Sequence, residues 1–482
     1  MKILLKNKLQ LHWALLLLPI AATIPGFAQT QKPAYLQGMQ AVIAGGTTPE
    51  TVTPAKIDGL KQLGTRRLRL INVEHTTLTA IAPDGTPTMQ WPVTLTYPLK
   101  LCRQNHWVPH IIVGHVVPPP LAKVGRNGRK YGPTSWTDYD KYIDAFLKYV
   151  VVDQGFTETE WEVGNEMNAA SQNWVASELP AASTDEMGFN AYATLYSHIA
   201  KDVDNFRRQH PGTTLRVGGP AEAEDGHLPP QVDWVTRFVR YVAANHVPAD
   251  FVSFHAYGNA TTGATIESLI GAIRAALTSG DSSANVAITE WGPSYESTPG
   301  LNYDPIAGAF ALDYAAKMAQ FGIHDTMFLS LSQIPAESGW PAFYKIDGSP
   351  SHIMLALLAV ANLKGKPAPC VGAAGISCVA ATNVDGTVDV VFWNYNWMTD
   401  KFPRVMPSRK ATVSTFTVSQ IENQGAGTYD LSTATMNSAP WQGNKSPGNF
   451  ARMSPAGLTF SFSVPYGNYG EFVLKPHGAG AH

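Results

Sequence analysis

Residues 160–168 read E-W-E-V-G-N-E-M-N, a short strand-like run that ends in an Asn-Glu pair. Seven other short apolar or β-branched runs resemble it, at 39–43, 67–73, 108–114, 215–218, 251–254, 286–289 and 326–330. Between them lie helical patterns with apolar residues at i, i+3 and i+4, most clearly at 139–151, 189–210, 307–321 and 351–363. Eight strand–helix alternations predict an α/β chain folded as a (β/α)8 TIM barrel. An open doubly wound sheet is the alternative, but no G-x-G-x-x-G follows an early strand.

The pattern changes after Lys366, where Pro367 and Pro369 mark a break. Short alternating strands follow, at 379–382, 388–394, 412–418, 427–431, 458–464 and 470–474. This spacing predicts an antiparallel β-sandwich. We therefore expect a barrel domain over 29–366 and a β-sandwich domain over 367–482.

The first 28 residues have the pattern of a secretory signal peptide. Lys2, Lys6 and Lys8 precede an apolar stretch at 11–20, and Gly26 and Ala28 suit cleavage after Ala28. A buried N-terminal helix is the alternative. No later run reaches the roughly 18 apolar residues of a membrane span. The sequence therefore predicts a secreted or periplasmic protein with no membrane span in the mature chain.

Composition excludes several classes of protein. The 482 residues carry 35 Lys and Arg against 37 Asp and Glu, which leaves no basic surface for nucleic acid. Three cysteines without a nearby His pattern do not form a zinc site. Cys370 and Cys378 could close a small loop in an oxidising compartment, which would leave Cys102 in the core.

Carboxylates follow two of the predicted barrel strands, where a barrel of this kind carries its active site. Glu166 follows strand 4, and Glu290 follows strand 7 in I-T-E-W-G at 288–292. These strands lie on opposite sides of a barrel mouth. Two facing carboxylates are what glycoside hydrolysis requires, because one protonates the leaving oxygen while the other attacks the anomeric carbon or activates water. The pair is thus the candidate catalytic pair, and it needs no metal or organic cofactor.

Polar neighbours strengthen this hypothesis. Asn165 is a short donor suited to a sugar hydroxyl, and His255 and Tyr257, after strand 6, can hold carboxylates in place. Singly, a strand-end Glu is most often a cap, a lone His a satisfied core residue, and Trp291 a packing residue. The conjunction of N-E, H-x-Y and T-E-W at three strand ends favours a catalytic site.

At this point the sequence resembles the retaining glycoside hydrolases of the large (β/α)8 clan with catalytic Glu on strands 4 and 7. It is most similar to glycoside hydrolase family 39, which includes β-xylosidases, α-L-iduronidases and exopolysaccharide endoglycosidases. The motifs are W-E-V-G-N-E-M-N (161–168), V-G-G-P-A (217–221), D-F-V-S-F-H-A-Y-G (250–258) and I-T-E-W-G-P-S-Y (288–295).

The resemblance implies that Glu166 is the acid/base and Glu290 the nucleophile. It also implies that Arg69 hydrogen-bonds the nucleophile and keeps it ionised. The expected substrate-binding residues are Asn165, His255, Tyr257, Trp291, Arg69 and Trp340. Ile71 stands where many relatives carry His, and strand 8 lacks the usual terminal Trp, so the sugar identity stays open.

Weaker candidates flank these positions. Acidic or imidazole groups after strands 2 and 5 could reach the cleft, and other tryptophans could stack on sugars. They are Glu74, His75, Glu222, Glu224, Asp225, Trp107, Trp136 and Trp174. The locally basic loop at 117–131 could contact an acidic polysaccharide, although a solvated loop is the default.

The sequence therefore predicts an exported retaining glycoside hydrolase that acts on a poly- or oligosaccharide. Two alternatives stay open: an endo-acting depolymerase of bacterial exopolysaccharide rather than an exo-glycosidase, and a non-catalytic carbohydrate-binding matrix protein. The oligomeric state is not predicted.

Overall fold

Eight parallel strands form a closed barrel in which each strand pairs with the next one along the chain and β1 pairs with both β2 and β8. The strands are β1 (Met39–Ile43), β2 (Arg67–Leu70), β3 (Val108–Val113), β4 (Glu158–Val163), β5 (Thr214–Glu222), β6 (Phe251–Tyr257), β7 (Asn285–Gly292) and β8 (Asp325–Phe328). The predicted TIM barrel is confirmed, and the open sheet is excluded because the strand order closes on itself.

This computed structural model describes residues 39–43, 51–124, 130–169, 185–223, 234–298, 300–333, 340–363, 365–373, 375–403, 411–419, 428–440, 451–454 and 457–476. The predicted signal peptide lies outside these residues. Within them, no helix combines the length and the apolar character needed to cross a membrane.

Helices connect the strands on the outside of the barrel. They are α1 (Pro54–Leu63), α2 (Val93–Asn105), α3 (Trp136–Lys148), α4 (Asp185–Gln209), α5 (Trp234–Asn245), α6 (Gly263–Ser279), α7 (Pro305–Gln320) and α8 (His352–Ala361). Several begin at residues that the sequence marks as caps. Ser135 accepts a hydrogen bond from the backbone of Asp138, and Asp304 accepts one from Ile306 with Pro305 in the first turn. Two short hairpins decorate the loops, at Leu78–Ile81 with Pro87–Met89 and at Ala122–Val124 with Lys130–Pro133.

The inside of the barrel carries charged side chains rather than only apolar layers. Along β4, Trp161 points out to α3 and meets Phe146 edge-on at 5.6 Å, whereas Glu160 and Glu162 point inward. Arg69 from β2 enters the same space and is fully buried. Buried charges need opposite charges beside them, so these strands must supply both signs at matching heights. These paired charges form a layer of polar side chains inside the barrel, beneath its mouth.

Ten antiparallel strands form the C-terminal sheet. They are β9 (Lys366–Ala368), β10 (Cys370–Gly372), β11 (Ser377–Thr382), β12 (Val388–Trp393), β13 (Ala411–Val418), β14 (Thr428–Met436), β15 (Ala439–Pro440), β16 (Ala451–Ser454), β17 (Gly457–Pro465) and β18 (Tyr469–Pro476). The order is β9-β11-β12-β18-β14-β16-β17-β13-β10, with β15 on β14. The six predicted strands are all present, and the short strands β9, β10, β15 and β16 were not predicted.

A disulfide joins the two ends of this strand path. Cys370 lies on β10 at one edge, and Cys378 lies on β11, next to the other edge; the two form a bond, while Cys102 is free and buried. The sheet therefore folds over itself around an aromatic core, as the sandwich prediction requires. That core includes Phe392, Phe416, Phe460, Phe462 and Phe472.

Asp313 of α7 ties the barrel to the sheet. Its buried carboxylate accepts hydrogen bonds from the Trp393 ring N–H at 2.9 Å and from the Trp397 backbone N–H at 2.8 Å. Barrel and sheet belong to one compact unit from Lys32 to His482. A domain boundary at residues 366 and 367 stays a prediction.

Candidate active site

Glu166 and Glu290 reach the barrel mouth from opposite strands. Glu290 lies within β7, and Glu166 lies three residues beyond β4, in a turn where Gly164 has φ 78° and Glu166 has φ 52°. The backbone N–H of Glu166 donates to the carbonyl of Ala221 at 2.8 Å, which fastens this turn to the end of β5. The Glu166 side chain is 17% exposed and that of Glu290 is 7% exposed. Glu166 is thus the more accessible carboxylate of the pair.

The two carboxylates lie close together with an imidazole between them. The ligand atoms of Glu166, His255 and Glu290 all lie within 4.8 Å of one another. His255 Nδ1 lies 2.9 Å from Glu166 Oε1 and 3.6 Å from Glu290 Oε2. Among the described residues, only this group of His and acidic side chains has spacing that could hold a metal ion. Its geometry equally suits two carboxylates that act on a bound substrate.

Arg69 organises the site from below. Its guanidinium, fully buried, donates from Nε to Glu162 Oε2 at 2.6 Å, from Nη1 to Glu290 Oε1 at 2.6 Å, and from Nη2 to Asn165 Oδ1 at 2.7 Å. One side chain therefore fixes three acceptors: one on β4, one just beyond β4 and one on β7. Since Asn165 receives this bond at its oxygen, its NH2 group is the part that can donate to a sugar hydroxyl.

The surroundings of Glu290 favour its ionised form. Burial alone would raise the pKa of Glu290, but His255, Arg69 and the hydroxyl of Tyr257 lower it below the usual range. Tyr257 donates to Glu290 Oε2 at 2.6 Å. Burial and the Glu290 carboxylate raise the pKa of Tyr257 well above its ordinary value, so the phenol keeps the proton that it donates.

A chain of alternating charges continues from Arg69 into the barrel. His110 on β3 lies between Glu162 Oε2, at 3.2 Å from its Nε2, and Glu160 Oε2, at 2.9 Å from its Nδ1. Glu160 in turn pairs with Arg67 at 3.0 Å and with Arg216 at 2.7 Å. Burial lowers the pKa of His110, but the two glutamates more than compensate and raise it. The sequence analysis missed this network, although charges at every second position of β2 and β4 were its signal.

His115 is a second residue that the sequence analysis missed. It follows Gly114, whose φ of 77° turns the chain at the end of β3. Burial together with Arg69 lowers the pKa of its ring to about 4, while Glu290 and the backbone of Asn165 act in the opposite direction. The imidazole is therefore neutral near pH 7. Its Nδ1 is buried and has no hydrogen-bond partner within the described residues.

The two expected tryptophans lie in different surroundings. Trp291 is fully buried and stacks on Tyr314 of α7 at 4.1 Å, because the side chain after Glu290 points out of the barrel. The structure therefore does not bring Trp291 to the site, contrary to the expectation that it binds substrate. Trp340 is partly exposed, and its carbonyl accepts a hydrogen bond from Asn302 at 2.6 Å. The next residue, Pro341, lies beside Gly292, two residues beyond Glu290.

Four of the eight weaker candidates are buried or packed against other parts of the structure. Glu222 is buried and accepts hydrogen bonds from the backbone of Trp234 and Val235 at the start of α5. Trp107 is buried in the core, and Trp136 stacks on His198 at 4.3 Å. Glu74 is buried, whereas His75 and Lys123 are exposed. Glu224, Asp225, Trp174 and residues 125–129 of the basic loop lie outside the described residues.

The barrel with its C-terminal sheet is similar in fold to a group of solved glycoside hydrolases. The chain is similar to the family 39 enzyme of Xanthomonas axonopodis pv. citri, with a TM-score of 0.65 and 18% identity over 91% of this chain and 94% of that one. A monomeric β-xylosidase of Caulobacter crescentus CB15 gives a TM-score of 0.63 and 16% identity, with coverage of 92% and 97%. At these identities the likeness shows the fold alone. The resemblance to family 39 is therefore confirmed at the level of the fold.

Comparison by sequence is more local. No family model matches the chain. A β-xylosidase of Caldicellulosiruptor saccharolyticus is 33% identical over 129 residues, which make up 26% of this chain and 22% of that relative. The chain thus matches about a fifth of the relative's length. Both comparisons lead to glycoside hydrolases.

Proposed function

We propose that this protein is a retaining glycoside hydrolase with Glu166 as acid/base and Glu290 as nucleophile. One observation carries the proposal: a carboxylate oxygen of Glu166 lies within 4.8 Å of one of Glu290. Retaining enzymes hold their carboxyl groups about 5–5.5 Å apart, whereas inverting enzymes leave about 6.5–9.5 Å for a water molecule. The short spacing leaves no such room and favours direct attack by a carboxylate.

The reaction proceeds in two displacements. Glu290 attacks the anomeric carbon while Glu166 gives its proton to the glycosidic oxygen, so the C–O bond to the leaving sugar breaks and a glycosyl ester forms. Glu166, now a carboxylate, removes a proton from water, which attacks the same carbon and releases Glu290. Each displacement inverts the anomeric carbon, so the product retains the substrate's configuration.

The roles within the pair follow from the contacts of each carboxylate. Glu290 receives hydrogen bonds from Arg69 and Tyr257, both at 2.6 Å, and these stabilise the ionised nucleophile. Glu166 is more exposed, and among the described residues its carboxylate hydrogen-bonds the imidazole of His255. A more accessible group suits proton exchange with a leaving sugar and then with water.

The substrate is proposed as a poly- or oligosaccharide outside the cytoplasm. Similar proteins are named β-xylosidase, and one structural neighbour is a glucosidase of Croceicoccus marinus, so aryl β-xylosides and β-glucosides are the first compounds to test. Export rests on Lys2, Lys6 and Lys8, the apolar stretch and the small residues before Gln29. Cleavage within an exopolysaccharide is the second candidate for this site.

The test uses turnover and stereochemistry together. Wild-type protein and the Glu290→Gln and Glu166→Gln variants are incubated with aryl glycosides and with plant and bacterial polysaccharides, and proton NMR follows the anomer released first. We expect retention in the wild type and no product with Glu290→Gln. Glu222→Gln is the matched control, because Glu222 is also a buried strand-end glutamate but caps α5.

The products separate the alternatives. Monosaccharides released from chain ends indicate an exo-glycosidase, whereas oligosaccharides of repeat-unit size indicate an endo-acting depolymerase. An inverted first product would refute the retaining mechanism. Binding to a polysaccharide with no product that depends on Glu290 would favour the non-catalytic matrix protein.

A further inference from the structure

Glu74 has an arrangement that its position in the sequence does not explain. It opens the short 3-10 turn Glu74–Thr76 beyond β2 and is 1% exposed. Its Oε2 accepts the backbone N–H of Gly114 at 2.6 Å, and its Oε1 accepts the hydroxyl of Tyr139 at 3.2 Å. The backbone N–H groups of His115 and Val116 lie near the same carboxyl group and act against the rise of its pKa. Glu74 thus gathers three consecutive amides at the end of β3.

The three amides converge because the chain turns sharply at Gly114. Its φ of 77° lies in the left-handed region, and a Cβ there would meet Leu195 and Ile199 of α4 at 3.0 Å. Three N–H donors that point to one place require an acceptor. Burial raises the pKa of Glu74 to about 8 in spite of these donors. Near pH 7 the group is therefore mostly the neutral acid, which still offers acceptor oxygens to the amides. The strand end and Glu74 therefore depend on each other.

His115 is the middle residue of the segment 114–116 and connects Glu74 to the candidate active site. Its ring lies close enough to the backbone of Asn165, to Arg69 and to Glu290 for all three to affect its titration. Asn165 is itself bound to Arg69 at 2.7 Å. A shift of the segment 114–116 would therefore move the imidazole of His115 away from Asn165 and Arg69.

We propose that Glu74 is a positioning residue that fixes the end of β3 through the amides of Gly114, His115 and Val116, and so holds the His115 imidazole against Asn165 beside the catalytic pair. This inference rests on the proposed glycoside hydrolase function. Glu74 does not touch the substrate in this scheme; it acts through His115.

Glu74→Gln tests the proposal with almost no change in volume. The amide keeps one acceptor oxygen but places an NH2 group, which cannot accept, toward the backbone donors. The hydrogen bonds between residue 74 and the end of β3 are therefore weakened. Loss of a hydrogen bond between neutral groups predicts a fall in kcat/KM of about threefold to tenfold, seen mainly in KM if His115 binds a sugar hydroxyl. In a His115→Ala background the same change should lower kcat/KM less than about twofold, since the two residues act as a unit.

Asp313→Asn is the matched control. Asp313 is likewise a buried carboxylate that accepts one backbone N–H and one aromatic donor, but it lies at the junction with the C-terminal sheet. It should lose thermal stability without the change in KM. Should Glu74→Gln not fold, Tyr139→Phe removes a single donor from Glu74 and predicts a smaller change in the same direction.

A second readout does not require turnover. NMR titration of the histidine rings, with His115→Ala identifying the signal, should find the pKa of His115 near 4 in the wild type. In Glu74→Gln it should move up toward the ordinary value of about 6.5 as the ring gains solvent. This shift without cleavage of any glycoside would refute the proposed function and leave the positioning role standing. An unmoved titration, or equal losses of kcat/KM in both backgrounds, would overturn the positioning role.

Discussion

Arg69→Lys tests whether Glu290, the proposed nucleophile, depends only on the positive charge beside it or also on the hydrogen-bond geometry of the guanidinium. Arginine presents a planar fork, and here each of three nitrogens serves a different acceptor: Glu162, Glu290 and Asn165. Lysine keeps the positive charge but concentrates it at one atom on a flexible stem. It can satisfy one of these acceptors well, so two of the three hydrogen bonds are lost.

The magnitude follows from those two bonds. Each hydrogen bond to a charged group contributes about 1.5–3 kcal/mol, so the variant loses about 3–6 kcal/mol in total. Part of this loss lowers the free energy of unfolding, because Glu162 and Glu290 stay buried with weaker partners. The rest raises the barrier of the first displacement, and 1.4 kcal/mol of it lowers kcat/KM about tenfold.

The dependence on pH gives the sharper result. Arg69 lowers the pKa of Glu290, and under the proposed mechanism Glu290 must be ionised to attack. The acidic limb of kcat/KM, where activity rises as Glu290 loses its proton, should therefore move to higher pH in Arg69→Lys. The assay is kcat/KM on an aryl glycoside from pH 3 to 8, with urea unfolding beside it.

Arg67→Lys is the control on the same strand. Arg67 pairs with Glu160 and Asp325, deeper in the barrel than Glu290. It should lose stability and keep the position of the acidic limb. An acidic limb that stays in place in Arg69→Lys, or that moves equally in Arg67→Lys, would refute the reasoning.

Three further predictions concern stability. Burial would raise the pKa of Glu160, but His110, Arg67 and Arg216 lower it to about 2. Glu160 therefore contributes about 3 kcal/mol to the free energy of unfolding, which is present above its unfolded pKa near 4.5 and is lost as the pH falls through 2. In Glu160→Gln, the stability measured by urea unfolding should lose much of this dependence on acid. Replacing Cys370 and Cys378 with serine opens a loop with a sequence separation of 8 and should cost about 2–3 kcal/mol in calorimetry, and an equal loss in reduced wild type would support the cause. Asp313→Ala leaves the N–H groups of Trp393 and Trp397 buried without their acceptor and should cost about 2–5 kcal/mol; an unchanged melting temperature would contradict this.

The barrel could be predicted from the sequence because each strand is a short apolar run that can be recognised locally. The predicted run 39–43 coincides with β1, and 108–114 exceeds β3 by one residue. Strands β5 and β7 extend further than predicted, to Glu222 and Gly292. Their polar ends break the apolar pattern on which the prediction relied. Those polar ends are also where the barrel places its site, so the pattern fails at the residues of most interest.

The candidate site was predictable only where residues lie at or just beyond the carboxyl end of a strand. Glu166, Glu290, His255 and Tyr257 do so, and the structure brings them together with Arg69 and Asn165. His115 was missed because its role depends on a turn and on Asn165 from another strand. Trp291 was misplaced because residues next to each other on a strand point to opposite faces, so the neighbour of an inward Glu290 must point outward.

The backbone at Glu166 has a consequence for how such a sequence evolves. A residue with a Cβ in the left-handed region, here at φ 52°, costs about 1–2 kcal/mol relative to glycine. Two positions earlier, at φ 78°, the chain does carry glycine, at Gly164. A population selected for thermal stability alone would drift toward glycine at 166 as well. Under the proposed function, the side chain of Glu166 explains why glutamate stands where the backbone alone would favour glycine.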